Sequence, residues 1–453
     1  MEKNKHMVLH FCTLTRDAAL VLGDQRTEQK KTPRTCIGNV ASLTLLLSMV
    51  SAMYIPSESI AGQSIFNVLN YEAAFAKTWE STCNADTESV TMVIPQGKTF
   101  LVHLITWAGP CKPKNVNILL SGTILGPESP DAWKGKNPGW LLIFQGVKGL
   151  NISGSGTIEG RGKGWWDISC ALHPQLEAPK ALWSPSLLAS FLASLHLSRC
   201  KIANQFSHLK QGCIKLAPMV LSFINCTKVY MNNISFVNSP QTHVGVSGCY
   251  GVNFKFLSIN SPASSPNTDG IHISRSRRVS IDSTNIGSGD DCISIGDQTS
   301  NIYITDVSCG PGHGVSIGSL GRSGNEVQVE NITMTRVHFY NTTNRARIKT
   351  WQKTGVHVSD VRYSGTFGTS KTKLAINLNC SDAVPCTKIL FDTIQLASST
   401  PGYKVNSSCN NAYGHAKGIK AKHIIPAKSL LIPLFPYASR IHFKMYSKPS
   451  RGQ

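Results

Sequence analysis

The middle of this chain repeats. Short segments in which apolar and polar residues alternate begin at Val229, Val252, Val279, Ile302, Val327 and Val356, so successive starts lie 23, 27, 23, 25 and 29 residues apart. Alternation of period two puts the apolar side chains on one face of a strand, and the Gly, Asn, Ser and Pro clusters that follow mark turns. Self-similarity at this interval defines a repeat architecture. No repeat holds a long stretch of 3.6-residue periodicity, so helical and leucine-rich solenoids fit poorly. The pattern predicts an all-β, single-stranded, right-handed parallel β-helix whose coils stack about 4.8 Å apart. Roughly ten coils would use most of the 453 residues as one solenoid.

Three stretches fall outside the repeat. Residues 1–61 form an N-terminal extension, in which the apolar run Val40–Ile55 follows Lys30, Lys31 and Arg34 and precedes the small-residue sequence Ser59-Ile60-Ala61. That is the form of a signal peptide, displaced from the usual N-terminal position, or of an uncleaved anchor. Both place the repeats on the non-cytosolic side, and stable membrane association is expected only if the segment stays uncleaved. The β-helix domain spans 62–414, with an irregular insertion at about 171–212, and a basic tail covers 415–453. Fourteen cysteines and seven Asn-x-Ser/Thr sites, at Asn151, Asn225, Asn233, Asn331, Asn341, Asn379 and Asn406, agree with an oxidising secretory route.

The net charge of +20 is concentrated outside the repeats. The tail alone carries eight basic and no acidic residues, residues 1–39 carry seven and four, and residues 171–212 carry four and one. The modest positive excess left on the coils suits an acidic partner, polysaccharide or nucleic acid. No helix-turn-helix, RRM or zinc-finger spacing accompanies it, so a nucleic-acid partner is not expected.

Within the repeats, ionisable residues keep step. Asp269 lies 22 residues before Asp291, which lies 22 before His313, and Asp290 adjoins Asp291. If one coil takes 22 residues, these side chains stack on one face. They sit in Asn267-Thr-Asp-Gly270, Gly289-Asp-Asp-Cys292 and Gly310-Pro-Gly-His-Gly314, and Arg347-Ile-Lys349 follows. The glycines let backbone pass close to a ligand or adopt positive φ. Three neighbouring carboxylates repel, which raises the pKa of at least one. A protonated carboxyl beside an ionised one is what glycoside hydrolysis requires, with about 6.5–9.5 Å between acid and base in inverting enzymes. A single Asp in a turn normally just accepts backbone hydrogen bonds; the coincidence of phase is what argues for a site. His243, 26 residues before Asp269, is a further candidate for the cleft wall. The same carboxylates and histidine also resemble a Ca²⁺ or Mn²⁺ ligand set.

These four motifs, in this order and spacing, resemble those of the plant polygalacturonases, family 28 of the glycoside hydrolases. The resemblance runs from about Ser64 to Gly414. It implies hydrolysis of α-1,4-galacturonosyl bonds in pectin or polygalacturonate by an inverting acid–base mechanism. The enzyme would be a secreted monomer of the extracellular region and cell wall, and would use no metal or cofactor. By it, Asp290 is the general acid, Asp269 and Asp291 activate the water, and His313 tunes the acid. Arg347 and Lys349 would grip galacturonate carboxylates, since a guanidinium fork and an ammonium suit a polyanionic sugar chain; Asn267 and His243 are further candidates for substrate binding. Cys292 and Cys309 sit one coil apart beside the site, where a disulfide would brace it; Cys380 and Cys386 resemble the family's small disulfide loop, and Cys83 with Cys111 is a third candidate pair.

The chain departs from the family pattern in four places. About a dozen residues are missing after Tyr71. The stretch between Cys170 and Gly212 has no repeat character. About one coil, bearing a tyrosine near the substrate, is missing after Gln352, and the tail beyond Gly414 is unfamiliar. Such abrupt changes suggest an altered or alternatively spliced transcript. They leave a second reading, a catalytically impaired β-helix that binds acidic polysaccharide.

Overall fold

The computed structural model describes residues 63–174 except Ala73 and Lys136, residues 213–419 except 352–354, and the strand Arg440–Ser447, of which the backbone alone is described. The leader-like run Val40–Ile55, the Ser59-Ile60-Ala61 site, nearly all of the 171–212 insertion and most of the basic tail lie outside the described residues.

The chain winds as a parallel β-helix with three faces. A cleft sheet of eight strands runs from Ile105–Ala108 to Ala346–Thr350, a second sheet has 13 strands, and a third has eight short ones. In the central part of the helix each coil contributes one strand to each face, and equivalent residues stack. In the cleft sheet, Leu142, Leu221, Val244, Ile271, Ile293, Val315 and Ala346 form one inward row in direct register. All seven are buried. In the 13-stranded sheet, Leu150, Val229, Val252, Val279, Ile302 and Ile332 form another. Each such side chain contributes on the order of 1.5–3 kcal/mol by leaving water, and β-branched residues suit the pleated surface. The outward residues between them are free to be polar, which is the alternation visible in the sequence.

The first coils are capped by the helix Phe75–Asn84, whose Phe75 and Trp79 pack on Trp107 and Phe144. The disulfide Cys83–Cys111 ties that helix down. No helix among the described residues is long and apolar enough to cross a membrane.

Two sequence expectations need correction at the far end. Ile332, not Val327, stacks on Ile302, because the excursion around the short 3₁₀ turn Arg322–Gly324 lengthens that coil to 30 residues. And Val356–Ser370 does not pair with the preceding strand of its sheet, Gln328–Thr335. Between them lies Arg440–Ser447 from the tail, antiparallel to both. The place of the apparently missing coil is therefore taken by a strand from the tail. Deleting residues 440–447 is expected to separate the two halves. At about 1 kcal/mol per ladder bond the loss is several kcal/mol, a large part of an ordinary domain's stability. A lowered melting temperature with new proteolytic cleavage between 336 and 356 would register it; an unchanged melt would show the strand to be dispensable.

Candidate active site

Because Ile271, Ile293 and Val315 are in register, the residues two places earlier occupy the same point of successive coils. Those residues are Asp269, Asp291 and His313, at the turn that enters the cleft sheet. The step of 22 residues is thus one coil, and about 4.8 Å of axial rise separates neighbours. Asp290 stands one residue ahead of Asp291.

Local chemistry holds these turns together. The buried hydroxyl of Thr268 donates to the Ser265 carbonyl and accepts from the Gly289 N–H of the next coil, both at 3.0 Å, which joins the Asp269 turn to the Asp290 turn. His313 N–H donates to the Asp290 carbonyl at 2.7 Å. A Cβ at Gly312 would lie 2.6 Å from that same carbonyl oxygen, so only glycine fits there, and Gly312 also has φ +148°. Cys292 and Cys309 form a disulfide immediately behind the turns.

The four titratable residues are bonded unequally. Asp290 Oδ1 accepts from His313 Nδ1 and from the Asp291 backbone N–H, each at 2.8 Å. Its side chain is 24% exposed and that of His313 37%. With Oδ1 occupied, a proton on Asp290 must sit on Oδ2. Burial raises the Asp290 pKa, but the His313 hydrogen bond and charge outweigh it and hold the carboxyl below its usual range. Asp291 is buried, and both its oxygens are taken: Oδ1 by Ser316 Oγ at 2.6 Å and Arg347 at 2.8 Å, Oδ2 by Lys349 at 3.1 Å. Asp269 Oδ2 accepts from Ser294 Oγ at 2.5 Å. Burial, reinforced by the charges of Asp290 and Asp291, pushes Asp269 well above the usual carboxylate range. The site therefore sets one carboxyl prone to protonation, Asp269, beside another, Asp290, held below the usual range.

The expected substrate ligands have separate fates. Arg347 and Lys349 alternate on the strand Ala346–Thr350 and reach the site together, engaged by Asp291. Asn267 is exposed, with φ +55°, and lines a shallow depression with Trp165, Trp166, Lys215 and Gln241. His243 does not line the cleft. It is fully buried, with Nε2 2.8 Å from Ser261 Oγ and Nδ1 3.0 Å from the Asp269 carbonyl, and burial lowers its pKa to about 4. The register explains why: His243 aligns with Gly270, not with Asp269, so it points inward and braces the Asp269 turn from behind. Sequence reading missed His272, Ser294 and Ser316. These too are 22 residues apart, so the same periodicity could have found them.

The model of the glycosyl hydrolases family 28 matches residues 83–210, 203–366 and 352–419. The chain belongs to this family. It is 32% identical over 384 residues to a probable polygalacturonase of Arabidopsis thaliana, covering 76% of this chain and 78% of that one. It is 30% identical to polygalacturonase-2 of Solanum lycopersicum, covering 81% of each. The fold is shared with a polygalacturonase from Erwinia carotovora (TM-score 0.52, 20% identity, 76% of this chain and 92% of that one). It is also shared with a Thermotoga maritima exopolygalacturonase (TM-score 0.56, 14% identity, 85% and 95%). Among the described residues this glycosyl hydrolase has all three candidate disulfides and a fourth, Cys170–Cys213, at the ends of the insertion.

Donor atoms of Asp290, Asp291 and His313 lie within 4.8 Å of one another, close enough to suggest a metal site in this glycosyl hydrolase. The donor set does not fit one. Asp290 Oδ1 and His313 Nδ1 bind each other, and a cation at Asp291 would displace or face the positive charges of Arg347 and Lys349.

Proposed function

We propose that this family 28 enzyme hydrolyses the α-1,4-galacturonosyl bonds of polygalacturonate with inversion, after secretion to the cell wall. The observation that carries this reading is the stack of Asp269, Asp290–Asp291 and His313 on consecutive coils beside Arg347 and Lys349. Asp290, paired with His313, delivers the proton on Oδ2 to the leaving glycosidic oxygen. Negative galacturonate carboxylates brought beside the pair favour its protonated form, which opposes the depressed pKa of the resting carboxyl. Asp269 takes the proton of the attacking water, because Asp291 has no oxygen free. Asp291 holds Arg347 and Lys349 in place, and the two cations outnumber its single charge, leaving a positive field for galacturonate carboxylates. Four disulfides support an oxidising destination.

Incubation with polygalacturonate is expected to release new reducing ends, and NMR of the first product should show the β-anomer before mutarotation. Initial α-product would rule out inversion, and an unsaturated, ultraviolet-absorbing product would indicate a lyase. The alternative reading, a β-helix that binds acidic polysaccharide without cleaving it, predicts retention on polygalacturonate with no new reducing ends.

A further inference from the structure

His272 lies on the strand Ile271–Ser274, three residues after Asp269. Its Nδ1 is 2.8 Å from Ser294 Oγ, which is itself 2.5 Å from Asp269 Oδ2. Ser294 is buried and has a single proton. While Asp269 is ionised that proton points at the carboxylate, so Ser294 must accept from His272, and the imidazole proton is fixed on Nδ1. We propose that His272 and Ser294 form a hydrogen-bond relay that favours the ionised form of Asp269 against burial and its neighbouring carboxylates and so keeps it available as the base; His272 is a positioning residue acting through Ser294. The inference rests on the hydrolytic reading above, in which Asp269 activates the water.

The neighbouring coil supports it by contrast. Ser316, one coil on from Ser294 in the same register, makes the same bond to Asp291 at 2.6 Å. There the serine is backed by Arg347 Nε at 3.0 Å, a permanent cation. Two adjacent carboxylates thus carry identical serine clamps with different donors behind them. Arg347 pairs directly with Asp291 at 2.8 Å as well as backing its serine. His272 gives Asp269 a neutral donor, strong enough to oppose burial and the repulsion of Asp290 and Asp291, yet weak enough to let Asp269 accept a proton. The groups facing His272 fit a neutral ring. Burial lowers its pKa, Asp291 opposes that, and Lys349 and Arg275 add to it. On the other side the register brings only Gly245 alongside, which offers no competing side chain. Donors in a chain polarise one another, so removing either member weakens the bond that reaches Asp269.

The test is titration of the Asp269 carboxyl by NMR in full-length protein labelled at Asp side-chain carbons, with Asp269→Asn to assign the signal. His272→Phe and Ser294→Ala are expected to raise the Asp269 pKa by about one unit, a tenfold change in proton affinity. His272→Asn, whose amide nitrogen takes the place of Nδ1, should leave it near the wild-type value. In kcat/KM the acid limb, where the base becomes protonated, should move to higher pH by the same amount in the first two variants and stay in the third. An unmoved Asp269 titration in both His272→Phe and Ser294→Ala overturns the relay, as does an equal shift in His272→Asn. The titration needs no turnover. A protein that titrates as expected but releases no reducing ends would retain the relay and refute the hydrolytic reading instead.

Discussion

Asp291→Asn is expected to destabilise the folded chain by about 3–5 kcal/mol, the usual result of removing one partner from a buried ion pair. The side chain is 3% exposed, and it neutralises Arg347 and Lys349, whose side chains are 17% and 18% exposed. Asparagine keeps the shape but leaves two half-buried cations side by side without a counter-charge. One amide hydrogen would also be directed at an ammonium or guanidinium that has nothing to accept it. Asp269→Asn provides the opposite case in the same assay. There a carboxylate suffers from burial and like charges, and its pKa is raised in the folded state. A group of that kind favours folding below its unfolded pKa, and the benefit disappears as pH rises through the folded value. At neutral pH its removal should therefore stabilise. Thermal melts at pH 7 with a fall for Asp291→Asn and a rise for Asp269→Asn would confirm the division of labour; a fall for both would refute it.

Asp290→Asn is expected to cost 10²–10⁴-fold in kcat, the range of general acid–base catalysis, with a modest fall in the melting temperature at neutral pH, because the fold favours the ionised carboxyl. The asparagine oxygen can keep the bonds from His313 and the Asp291 N–H, so the turn should survive. What is lost is a proton on the atom facing the cleft. Reducing-end release, measured beside a melt, separates the two effects. Retention of more than about a tenth of the activity would remove Asp290 from the acid role.

Much of this arrangement could be read before any coordinates, for a physical reason. In a solenoid, distance along the chain converts directly into position, so an even step of 22 residues became a column of side chains. Period-two alternation gave the coils for the same reason. The failures arose where that conversion breaks. His243 was counted in steps of one coil, but its coil is longer, and a shift of one position turned it from the cleft to the core. Val327 alternates correctly and so reads as part of the stack, though the excursion before it delays the register. Nothing local to Arg440–Ser447 announces that it will pair with strands made long before it, since strand pairing over such a distance leaves no periodic trace. The serines that clamp Asp269 and Asp291 were overlooked because a lone serine on a strand carries no chemistry until its neighbour is known.

That borrowed strand also sets an order of events during synthesis. A parallel solenoid can add coils as they leave the ribosome, each resting on the one before. Here Val329 pairs with Met445, 116 residues later, while the strand ending at Thr350 closes the catalytic coils much earlier. The cleft can be complete while the joint beyond it is still open. At 5–20 residues per second, the edge of Gln328–Thr335 waits roughly 6–22 s, and that of Val356–Ser370 roughly 4–15 s, for the strand that fills them. Unpaired edges of that kind invite any strand that fits. On a crowded polysome the nearest one is residues 440–447 of a neighbouring nascent copy, and an exchange of tails would link two otherwise finished molecules.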